Sequence, residues 1–117
     1  MSAWKLTVRH GPEVARLEYE DLDRALAEVR RRAEAVRAEG PLDSVSMLRD
    51  FEPGERVHAR LEVSGKGLLR APTAGVDVMG DGRIVPFAGG LRRRELTPHR
   101  GGDAFDAVRE ELRSAQR

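Results

Sequence analysis

The chain has 117 residues, 39% of them apolar, no cysteine, and 21 basic against 20 acidic side chains for a net charge of +1. That length fits one domain spanning residues 1–117, and the apolar share excludes a disordered chain. The missing cysteine excludes disulfides, thiolate metal sites and cysteine nucleophiles, and the balanced charge speaks against a dedicated nucleic-acid binder, whose affinity comes from neutralising phosphates.

Residues 3–9, AWKLTVR, alternate, with Trp4, Leu6 and Val8 on one side and Lys5, Thr7 and Arg9 on the other. That period predicts a half-buried strand. His10-Gly11-Pro12 supplies turn chemistry, and residues 13–19, EVARLEY, alternate again, so a hairpin is expected. The N-terminal segment lacks the apolar run of a signal peptide, and no stretch approaches the ~20 apolar residues that cross a bilayer. A cytoplasmic protein without membrane contact is the expectation.

Over residues 21–39 the period changes. Leu22, Leu26, Val29, Ala33 and Val36 recur at three and four, a single helical stripe. Asp21 is the predicted N-cap, and Gly40-Pro41 the stop signal. Arg30-Arg31-Arg32 lies on this helix, where successive residues turn by about 100°, so the three fan out and form no single patch. Glu28 with Arg32 and Arg30 with Glu34 stand four apart, which predicts a solvated, ion-paired face.

Residues 45–49 read as a short strand and 50–54 as a turn. Residues 55–64, ERVHARLEVS, alternate most clearly: Val57, Ala59, Leu61 and Val63 are expected inside, Arg56, His58, Arg60 and Glu62 outside. SGKGLL, residues 64–69, lacks the glycine and Ser/Thr positions of a phosphate-binding loop. Residues 74–79 and 83–88 flank Gly80-Asp81-Gly82, a hairpin turn. Asp77, between two valines, is expected to be exposed, and Phe87 to be core. Residues 91–97 predict a last strand. Asp103 and Asp106 form a box-like cap before a second helix carrying Phe105, Val108 and Leu112. The expected fold is α+β: a single, mainly antiparallel sheet of five to six strands with two helices on one face, in the order ββα, strands, α.

Functional signals concentrate in the stretch GGLRRRELTPHRGG, residues 89–102. Across 83–100, five arginines against Glu95 give +4, whereas residues 13–23 carry five acids against Arg16, giving −4. The balanced total therefore hides opposite local charges, and complementary patches steer association. Charged edge strands also resist aggregation, which explains the arginine triplet without a ligand. Stacking rings, which single-strand binders interleave with basic residues, are missing here.

The expected function is non-catalytic: an adaptor that binds a protein partner or a second copy of itself through the basic segment and the sheet. The binding set is Arg56, His58, Arg60, Arg83, Arg92, Arg94, His99 and Arg100. Arg92 and Arg94 extend the Arg56–His58–Arg60 face if the last strand lies beside that one. RNA or ribosome binding through the same arginines is the first alternative, and a small enzyme with a His58–carboxylate pocket the second. His10, His58 and His99 have no metal-ligand spacing to one another. No metal, cofactor or catalytic residue is therefore expected.

Overall fold

The computed structural model describes residues 3–41, 56–66, 71–90 and 92–115. Its elements are β1 Trp4–His10, β2 Glu13–Tyr19, α1 Leu22–Ala38, β3 Val57–Gly65, β4 Thr73–Met79, β5 Ile84–Ala88, β6 Arg94–Glu95 and α2 Ala104–Ala115. All neighbouring strands run antiparallel in one six-stranded sheet ordered β2-β1-β3-β4-β5-β6. The α+β architecture expected from the sequence is the one observed. The expected strand at 45–49 and the turn at 50–54 lie outside the described residues.

Local chemistry explains the elements. β1 and β2 join through Gly11-Pro12, with His10 opposite Glu13. Gly11 has φ 60°, the glycine-first pattern of a type II′ hairpin turn. Asp21 caps α1 by accepting a hydrogen bond from the Asp23 amide at 2.8 Å. Gly40, at φ 92°, ends the helix, and its amide donates to the Arg37 carbonyl at 3.1 Å. At α2 the Asp106 amide donates to Asp103 Oδ1 at 2.9 Å, and the Asp103 amide returns a bond to Asp106 Oδ2 at 3.0 Å. That is a reciprocal cap in which each acid satisfies the other's orphan amide.

Both helices lie on the same side of the sheet, α1 against β1 and β3, α2 against β4 and β5. The core between them takes Leu6 and Val8 from β1, Leu61 and Val63 from β3, Val76 and Val78 from β4, and the apolar stripes of the helices. Leu6, Leu61 and Leu112 are fully buried, each stabilising the fold by roughly 1.5–3 kcal/mol relative to exposure.

Several expectations change in three dimensions. The last strand shrinks to Arg94–Glu95: the next pair in register is Leu96 with Pro86, where the Leu96 amide donates to the Pro86 carbonyl at 2.9 Å but proline has no N–H to return a second bond. Phe87 is buried, but on the side away from the helices: it stands opposite Gly75, whereas Pro86 stands opposite the core residue Val76. Asp77 is half-buried because Arg60 covers it. Arg30 pairs with Asp103 of the second helix instead of Glu34, and Glu34 meets Arg37 at 3.7 Å. Glu28 pairs with Arg32 as expected, and with Arg31 as well.

β3 also departs from regular alternation at its start. Val57 stands opposite Met79 and Ala59 opposite Val78, so two steps along β3 match one step along β4. This is a β-bulge, which re-aims side chains locally. Val57 is consequently exposed, not inside as its alternation suggests.

Candidate functional site

The sheet disperses the arginines of the predicted binding set. β4 and β5 separate β3 from β6, so Arg92 and Arg94 do not extend the Arg60 face as strand neighbours. Arg94 stands opposite the core residue Ala88, and its Nη2 lies 2.9 Å from Glu111 Oε1 on α2. His99 Nε2 lies 2.7 Å from Glu110 Oε1 on the same helix. Arg83 sits at the β4–β5 turn, with Nε 3.3 Å from Asp81 Oδ2. Arg92 and Arg100 are exposed, and Arg56 is half-buried just before β3.

Arg60 keeps company with a residue outside the predicted set. Its guanidinium lies 5.7 Å from the Phe87 ring centre, and that of Arg93 5.0 Å from the same ring. Arg93 also lies 3.9 Å from Glu62. These contacts make a cation–π arrangement on the sheet face that the helices leave open.

His58 leaves the outward row altogether. The bulge turns it to the helix side, where it meets His10, the last residue of β1. The two rings stand 5.1 Å apart at 63°. Glu39, just past the end of α1, reaches both: its Oε1 is 3.1 Å from His10 Nε2 and 3.3 Å from His58 Nε2. His58 is the more enclosed, with 12% of its side chain exposed. Three separate pieces of the fold thus deliver one residue each: a hairpin end, a strand bulge and a helix C-terminus.

The cluster borders a solvent-open cavity of about 580 Å³, also lined by Arg9, Glu13, Arg56 and Arg60. Each cluster residue offers one ligand atom, and the three atoms lie within 4.8 Å of one another. Two imidazole nitrogens and a carboxylate oxygen can share protons or hold a cation. Sequence reasoning missed this grouping. His10 and His58 are 48 positions apart, Glu39 reads only as a helix end, and nothing in the alternation of 55–64 marks the bulge.

Comparison with protein-family models, with curated proteins and with solved structures finds no match.

Proposed function

We propose that this chain is a protein-binding module that works by association, and that its partner is a second copy paired through β2. The observation that carries this reading is the outer edge of β2. It is the first strand in the sheet order, so one side of its backbone meets no strand among the described residues. Glu13–Tyr19 is seven residues long, free of proline and glycine, and its pairing with β1 is unbroken. Such an edge is a template for another strand unless it is blunted.

The β2 sequence is complementary to itself. Consider two copies meeting antiparallel about a two-fold axis at Leu17. Leu17 then faces Leu17 of the second copy, Ala15 faces Tyr19, and Arg16 faces Glu18 in both directions. Opposite charges meet on the open face and apolar groups on the helix side, the pairings that stabilise adjacent strands. Sliding the register so that Arg16 faces Arg16 sets like charges against each other. Lys66 already contacts Glu18, but a carboxylate accepts several donors. The basic segment supports association less strongly, since Arg83, Arg94 and His99 each contact a carboxylate of their own chain.

Sedimentation equilibrium over a concentration series tests this. Wild type is expected to dimerise, more weakly at high salt. Arg16→Glu is expected to dissociate the dimer, and Arg16→Glu with Glu18→Arg to restore it. A wild type that stays monomeric at low salt overturns the reading. A low-salt RNA gel shift that is lost on substituting Arg92 and Arg100 favours nucleic-acid binding instead.

A further inference from the structure

We infer that His10, His58 and Glu39 form a binding site for a divalent first-row transition metal, zinc foremost, held by the two Nε2 atoms and one Glu39 oxygen. The site is independent of the β2 edge. It stands on three observations: the distances, the route by which His58 arrives, and the helix end beneath it.

The distances come first. Zinc bonds to imidazole nitrogen and carboxylate oxygen of about 2.0–2.1 Å set neighbouring ligand atoms of a tetrahedron about 3.3–3.4 Å apart. The two Nε2–Oε1 separations, 3.1 and 3.3 Å, fall near that edge length. One ligand atom from each of the three residues lies within 4.8 Å of the others. Imidazole with carboxylate, in a chain without cysteine, suits zinc, cobalt or nickel better than magnesium or calcium, which prefer oxygen alone.

The bulge is the second observation. A regular β3 would send His58 to the open face with Arg60. Instead the extra residue between Val57 and Ala59 carries the imidazole to the helix side. Bulges gather beside functional sites because they re-aim single side chains in this way.

The third is the helix end. Glu39 is the C-cap of α1, where the last carbonyls carry partial negative charge and favour a cation. Arg9 and Arg56 on the cavity wall oppose a bare cation, while Glu13 favours one. Asp77 balances the charge of Arg60. Three protein ligands beside an open cavity leave the fourth tetrahedral position to water or to an anion, and an anion there also meets the arginines. Open coordination of this kind differs from a closed structural zinc site.

The test uses the untagged 117-residue chain after chelator treatment. ZnCl2 is titrated by calorimetry, and CoCl2 is followed by its visible absorption, which is intense only in four-coordinate geometry. Wild type is expected to take up a single equivalent of zinc and to show the four-coordinate cobalt bands. His10→Ala and Glu39→Gln are each expected to weaken zinc binding by at least about tenfold and to abolish the bands. His58→Ala is expected to do the same. It is the variant most at risk of unfolding, so far-UV circular dichroism is read alongside, and His10→Ala, at a more exposed position, decides if it unfolds. Wild type that binds no zinc, or that binds it no better than folded His10→Ala, overturns the inference.

Discussion

Arg60 and Asp77 are register partners across β3 and β4, and the guanidinium holds the carboxylate twice, Nε to Oδ1 at 2.7 Å and Nη2 to Oδ2 at 3.0 Å. The hydrogen bond to Asp77 raises the Arg60 pKa above its usual value, against the opposing pull of burial. Only 28% and 15% of the two side chains are exposed, so the pair is shielded more than an ordinary surface ion pair. Bidentate geometry adds both energy and orientation. Asp77→Ala leaves a half-covered guanidinium without its partner and is expected to cost about 1–2 kcal/mol. Arg60→Met is expected to cost a similar amount, and the double variant clearly less than the sum. Urea unfolding of the four proteins measures this; strict additivity means the two side chains do not cooperate.

Much of this architecture is legible in the sequence where a local rule acts alone. β2 falls on residues 13–19, as its alternation indicates, and α1 begins after Asp21 because that side chain satisfies an early helix amide. Local rules fail where tertiary structure chooses between two locally equal options. β5 is apolar on both sides, so alternation cannot tell whether Phe87 or Pro86 faces the helices. Val57 continues a clean inward row, and only the count of residues on β4 shows that the row breaks there. The histidine cluster depends on that break, so it becomes visible only with the strands paired.

Gly75 is expected to tolerate no side chain. A Cβ built there lies 2.0 Å from the Leu61 carbonyl oxygen and 2.9 Å from Glu62 Cα, both backbone atoms of β3. Relief would require β3 and β4, which pair through Glu62 and Gly75, to separate at the middle of the sheet. Overpacking of this kind costs about 3 kcal/mol or more when backbone must move. Gly75→Ala is therefore expected to lower the urea midpoint sharply, whereas Gly90→Ala, with open space around it, shifts it little. Equal stability of the two variants contradicts this close approach.

Asp103 serves both helices. It caps α2 through the Asp106 amide and accepts a hydrogen bond from Arg30 Nη2 of α1 at 2.8 Å. The Arg30 guanidinium also lies 4.3 Å from the Phe105 ring centre. Burial pushes the Asp103 carboxyl up, but hydrogen bonds from Arg30 and the Asp106 amide outweigh it and hold the group below the usual carboxylate range. Asp103→Ala removes the cap and the pair together and is expected to cost about 1–2 kcal/mol. Asp103→Asn keeps a capping oxygen and is expected to cost about 0.5 kcal/mol. Thermal unfolding separates the two, and equal losses would assign the whole effect to charge.

Glu28 gives the fold a defined response to acid. Its carboxylate accepts hydrogen bonds from Arg31 Nε at 2.8 Å and Arg32 Nε at 2.6 Å. The Arg31 bond is the largest influence; with Arg32 it overcomes the upward push of burial and lowers the pKa from 4.5 to about 2. A pKa depressed in the folded state means that the unfolded chain binds the proton more tightly. The contribution of Glu28 is therefore fully present above pH 4.5 and is lost as the pH falls towards about 2. Helical pairs at these spacings contribute about 0.3–0.5 kcal/mol each, so about 1 kcal/mol is at stake. Glu28→Gln is expected to be less stable than wild type at neutral pH and to converge with it near the bottom of that window. Asp103 remains in the variant and keeps part of the acid slope. Urea unfolding of both proteins from neutral pH down to about 2 checks this, and parallel curves would show that the two arginines do not hold Glu28 in solution.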